Sequence, residues 1–74
     1  MPKLPVISGK ALVKAFLKVG YAIDHQTGSH IILRQIEEPH RRLTIPNHPE
    51  IAKGTLLAII KQAGLTREEF TKLL

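Results

Sequence analysis

Apolar residues in the first third of the chain recur at helical intervals. Leu12, Ala15, Phe16 and Val19 follow one another at spacings of three and four, which places them on one face. Lys10, Lys14 and Lys18 recur every four residues and line another face. Ser8 offers a side-chain oxygen as N-cap, and Gly20 stands where a C-cap glycine belongs. The pattern predicts an amphipathic helix over Ser8 to Val19, preceded by an extended lead-in from Met1 to Ile7 that carries two prolines. The period then changes. Tyr21 to Gln26 alternates loosely and reads as a strand, Thr27 and Gly28 form a turn, and His30 to Ile36 is a second strand. On a period of two, His30, Ile32, Arg34 and Ile36 share one face, with Ile31, Leu33 and Gln35 on the other. Both faces hold apolar residues, so the pattern alone leaves the buried one open. If Ile31 and Leu33 enter the core, His30 and Arg34 lie together on the open face.

Glu37 to His40 is a polar turn. Arg41 to Ile45 is a third strand, with Leu43 and Ile45 opposed to Arg42 and Thr44, and Pro46 ends it for want of an N–H. After a polar connection from Asn47 to Lys53, Gly54 and Thr55 open a second helix with Thr55 as its cap. Leu56, Ile59, Ile60 and Ala63 keep helical spacing, and Gly64 closes the helix. This helix is apolar round most of its circumference and is expected to pack centrally. Thr66 to Glu69 is a capping box, with Leu65 and Phe70 as its hydrophobic staple. A short last helix runs to Leu74 with Leu73 facing inward. The order is α-β-β-β-α plus a short terminal helix: an α+β fold with a three-stranded antiparallel sheet, one face covered and one free. That is the layout of the double-stranded RNA-binding domain, which reads RNA by shape and backbone.

The chain has 74 residues, and the expectation is one small domain over 1–74. Eleven Lys and Arg against six Asp and Glu give a net charge of +5, which attracts polyanions, nucleic acid first. Phe16, Tyr21 and Phe70 are the only aromatics, a thin supply for base-stacking platforms. The absence of cysteine excludes disulfides, a thiol nucleophile and thiolate-bound zinc. No apolar run has the length of a membrane span, and the N-terminus lacks the core of a signal peptide, so a soluble cytoplasmic protein is expected.

Candidate chemistry centres on Gly28, Ser29 and His30. A histidine at the first residue of a strand has a fixed backbone and a reachable side chain, and imidazole exchanges protons near neutrality. The plain alternative is an ordinary polar surface residue. His25 reads as a strand-surface residue without a special role, His40 as a solvated turn residue, and Glu68 and Glu69 as helix-capping groups. No two histidines have the spacing that puts two metal ligands on one helix face, so neither metal nor cofactor is expected.

Three pieces then match together. They are the helix opening with Ser8, Gly9 and Lys10 and ending before Gly20 and Tyr21; Gly28-Ser29-His30 leading into an apolar strand; and Ile45-Pro46-Asn47-His48 followed by Gly54-Thr55-Leu56, Ile59-Ile60-Lys61 and Gly64-Leu65. This ordered set, over nearly the whole chain, resembles the HicA (YcfA-like) toxins of type II toxin–antitoxin systems. The resemblance implies metal-independent cleavage of mRNA and neutralisation by a HicB-type antitoxin that covers the active site. It makes His30 the catalytic residue and places His48 in a second recurrent motif, whereas the linker from Pro49 to Lys53 inherits no role. The chemistry is compatible. RNA carries its own 2′-hydroxyl nucleophile, so a base, an acid and cations near the phosphate suffice. His30 would be the general base or acid; Arg34, Lys53 and Lys10 would hold phosphates; Ser29 would orient the site. One histidine is a sparse catalytic set, and slow turnover is expected. Two rivals use the same surface without chemistry: a non-catalytic RNA-binding module, and a protein-interaction domain.

Overall fold

The computed structural model describes residues 4–74, so the first three residues of the expected lead-in lie outside it. The elements are α1 (Gly9–Leu17), β1 (Tyr21–Thr27), β2 (His30–Gln35), β3 (Arg42–Pro46), α2 (Lys53–Gln62) and α3 (Arg67–Thr71). The strands form one antiparallel sheet in the order β1-β2-β3. This is the expected α+β layout.

The sheet's faces are decided by burial on β2 and β3. Ile31 pairs with Ile45 and Leu33 with Leu43, and all four are buried beneath the helices. His30, Arg34, Arg42 and Thr44 are exposed on the opposite side. The core joins these strand residues to Leu12, Val13 and Phe16 of α1, Leu56, Ile59 and Ile60 of α2, and Phe70 of α3. The three aromatics meet at its centre. The Phe16 and Tyr21 rings stand edge to face at 5.3 Å, and Phe16 and Phe70 lie at 6.2 Å. They serve packing. Burial pushes the Tyr21 phenol above its ordinary pKa, with the Arg41 guanidinium opposing the shift.

The helix ends explain themselves locally, with corrections: the last helix, α3, stops at Thr71 and does not run to Leu74. Ser8 caps α1 by accepting from the Ala11 amide at 3.1 Å. The helix stops at Leu17, earlier than Val19, and Val19 is exposed rather than part of the seam. α2 begins at Lys53, two residues before Thr55. Ala52 stands at the cap position with no side-chain bond, so Thr55 is not the cap. The Pro49–Ala52 segment is already turning there, because the Ile51 amide is tied to the Ile7 carbonyl at 2.9 Å. α2 also buries only one stripe; Ala58 and Lys61 face solvent. Its far end gains a cation that the sequence did not suggest: Arg41 Nη1 donates to the Gln62 carbonyl at 3.2 Å, where helix carbonyls carry partial negative charge.

The capping box of α3 is complete. The Thr66 hydroxyl accepts from the Glu69 amide, and the Glu69 carboxylate accepts from the Thr66 amide. Replacing Thr66 with alanine is expected to lower stability by ~1 kcal/mol, the usual effect of losing such a cap. Equilibrium urea unfolding of the two proteins measures it. An unchanged midpoint would mean that packing of Phe70 alone holds α3.

Candidate active site

The turn between β1 and β2 is the two-residue link Gly28–Ser29, with Thr27 and His30 paired across it. Gly28 has φ +50, a backbone state open to glycine at little strain. His30 is therefore the first ladder residue of β2, exposed on the open face and held between Thr27 on β1 and Pro46 on β3.

Two backbone bonds gather the other motif segments around this end of the sheet. The Asn47 amide donates to the Ser29 carbonyl at 2.6 Å, and the Gly9 amide donates to the His48 carbonyl at 2.9 Å. The turn before β2, the loop after β3 and the start of α1 are thus tied together. Between the last two lies a cleft of about 330 Å³ lined by Ser8, Lys10, Asn47, His48 and Pro49. The structure therefore brings Ser29, His30, Lys10 and His48 to one end of the molecule.

Arg34 and Lys53 are placed differently. Arg34 shares the open face with His30 but is four residues further along β2, roughly 13 Å at ~3.3 Å per residue. It stands directly opposite Arg42 on β3. Lys53 lines another cleft, of about 400 Å³, with Leu4 to Val6, Glu50 and Ile51. Neither is beside His30.

The open face holds a further pair. Ile23 pairs with Leu33 and His25 with Ile32, so the register slips and Asp24 has no ladder partner. His25 Nδ1 lies 2.9 Å from Asp24 Oδ2. That hydrogen bond holds the Asp24 carboxyl below the ordinary carboxylate range, with desolvation opposing the shift and nearby charges, Arg34 and Arg42 among them, adding to it. Sequence spacing gave no sign of this pair, because strand neighbours ordinarily point to opposite faces. The importance of Gly9 and Asn47 was likewise hidden, since both act through backbone atoms.

The family of the chain follows from this end of the fold together with its sequence. The family model of the HicA toxin of bacterial toxin–antitoxin systems matches residues 9–65. The chain belongs to the HicA toxin family. It is accordingly the toxin of a toxin–antitoxin pair, a class whose members act beside an antitoxin partner. The HicA match starts at the first residue of α1 and ends just past α2, so it takes in every segment that builds the His30 end and leaves out α3. A search of curated proteins gave no significant match. No helix among the described residues is long and apolar enough to cross a membrane.

Proposed function

We propose that this HicA toxin is an endoribonuclease that cleaves mRNA without a metal, with His30 as its general acid–base group. The observation that carries the reading is the placement of His30. It is an exposed imidazole on a fixed strand, at the end where the β1–β2 turn, the loop after β3 and the start of α1 are tied together. His30 takes the proton of a ribose 2′-hydroxyl, and the 2′-oxygen attacks the adjacent phosphorus. The bond to the 5′-oxygen breaks, and that oxygen leaves with a proton. The products are a 2′,3′-cyclic phosphate and a 5′-hydroxyl.

Lys10 and His48, which line the cleft between α1 and the loop after β3, hold the RNA backbone there, and Ser29 sets the turn that aims the imidazole. Arg34, with Arg42 opposite, takes a phosphate further along the strand. Lys53, in its separate cleft beside Glu50, adds only to the overall positive field. A HicB-type antitoxin silences the toxin by covering the open face around His30. The site of action is the cytoplasm, where mRNA is translated.

The test is induced expression in a bacterial host, wild type beside His30→Ala, with mRNA integrity followed over time. Wild type is expected to arrest growth and fragment mRNA. The variant, at equal abundance, is expected to do neither, since general acid–base groups contribute about 10²–10⁴ in rate. Fragmentation by both proteins would remove His30 from the reaction. Fragmentation by neither, with salt-sensitive RNA affinity retained, would favour the non-catalytic binding module.

A further inference from the structure

In-line cleavage needs two proton transfers, one at the attacking oxygen and one at the leaving oxygen. His30 alone fills one of these roles. The slipped register of β1 supplies a second imidazole on the same face. His25 is opposite Ile32, and Ile32 is two residues from His30, so the side chains of His25, Ile32 and His30 share the open face. The direct β1 partner of His30 is Thr27, which makes His25 its diagonal neighbour, with Cα atoms ~7–8 Å apart by sheet geometry. That separation leaves room for one phosphate between two rings.

The irregularity also explains how His25 is held. A bulge breaks the strict alternation of side chains and re-aims one of them. Here it lets two consecutive residues meet, with Nδ1 of His25 2.9 Å from Oδ2 of Asp24. Asp24 is ionised at neutral pH and can only accept, so Nδ1 carries the hydrogen and Nε2 is the nitrogen turned to a substrate. A carboxylate on one nitrogen fixes the orientation of the ring, which suits a positioned proton donor. Among the described residues, the other charged side chains on the strands of this face are Arg34 and Arg42, and the imidazole is half exposed. The other histidines are less apt. His40 lies past the far end of β2, bonded to the Gln35 carbonyl, and His48 lines the cleft with Lys10, where a phosphate is the better occupant.

We propose that His25 is the general acid of the reaction and that Asp24 is its positioning residue. This rests on the reading of His30 as the base. His30 accepts the 2′-hydroxyl proton as the bond from that oxygen to phosphorus forms. As the bond from phosphorus to the 5′-oxygen breaks, His25 gives its Nε2 proton to that oxygen. Solvent then returns each ring to its starting state.

A leaving group that needs no proton isolates this role. The experiment uses the full purified chain and two RNA strands. One is ordinary, and the other carries a bridging 5′-sulfur at the linkage that wild type cuts most, because thiolate departs unprotonated. His25→Ala is expected to cut the ordinary strand at least ~10²-fold more slowly than wild type and the sulfur strand within severalfold of it. His30→Ala is expected to stay slow on both. Asp24→Asn is expected to show a smaller loss, again confined to the ordinary strand, which a merely structural role would not produce. Near-wild-type cleavage of the ordinary strand by His25→Ala overturns the proposal, as does an equal loss on both strands. Rescue by sulfur in His48→Ala instead of His25→Ala also overturns it. Wild type silent on both strands overturns the ribonuclease reading itself, a different and recognisable failure.

Discussion

Gly9→Ala is expected to destabilise the protein and to pull the His30 end of the sheet apart, although helix propensity alone argues for the reverse. In a helix interior, alanine is favoured over glycine by ~1 kcal/mol. At Gly9 a Cβ would overlap the Pro46 carbonyl oxygen and stand 3.0 Å from the Asn47 Cα. Both neighbours are backbone, and they are anchored: Pro46 pairs with His30, and Asn47 is bonded to the Ser29 carbonyl. They cannot turn away as a flexible side chain would. Overfilling a packed site typically costs ~1–3 kcal/mol, sometimes more, so packing outweighs propensity. Relief would come from moving the Pro46–His48 segment away from α1, which breaks the Gly9–His48 bond and opens the cleft between α1 and the loop after β3. Gly54→Ala is the control. Gly54 lies in the first turn of α2 with nothing within 4 Å of the added carbon, so that variant is expected to be neutral or slightly more stable. Thermal melts of the three proteins, with RNA cleavage measured at a temperature where all are folded, check both statements. A Gly9→Ala protein as stable as Gly54→Ala would show that the approach of α1 to the β3 loop is not what holds this end together.

The largest loss of stability is expected from Phe16→Ala. Phe16 is completely buried at the junction of α1, β1 and α3, between Tyr21 and Phe70. Truncating such a side chain costs ~3–5 kcal/mol through lost burial and the cavity left behind. Small domains sit near the lower end of the usual stability range of about 5–15 kcal/mol, so most of the margin disappears. Each kcal/mol moves the midpoint by ~4–8 °C in a domain of this length, which puts the expected fall at ~15 °C or more. A circular-dichroism melt is sufficient. A fall below ~5 °C would mean that the three aromatics do not form the cooperative centre of the core. Because Phe16 touches nothing on the open face, any RNA cleavage lost in this variant should follow the folded fraction, unlike the loss from His30→Ala.

The proposed chemistry draws on a strand that folds irregularly. Read by strict alternation, Asp24 and His25 fall on opposite faces and His25 has nothing to do. The slip after Ile23 brings them together and sets His25 diagonally across from His30. No residue type in Ile23, Asp24 or His25 marks that slip in the sequence. Arg42 is a similar case. It is an unremarkable strand cation until the register sets it opposite Arg34 on the face that carries the histidines.

The sequence by itself determined the elements, their order and the family. Those depend on local rules: apolar period, the Ser8 cap, the Gly64 terminator, the Thr66–Glu69 box, and motifs read along the chain. It also stated the condition for the site, that His30 is on the open face if Ile31 and Leu33 are in the core, and both are buried. Tertiary structure alone decided that condition, because β2 is apolar on both faces and only the helices packed on one side choose between them. It alone set Lys10 and His48 in one cleft and put Lys53 in another. The first of these comes from backbone bonds between residues distant in sequence, Gly9 to His48 and Ser29 to Asn47, which use amide and carbonyl groups that every residue but proline carries.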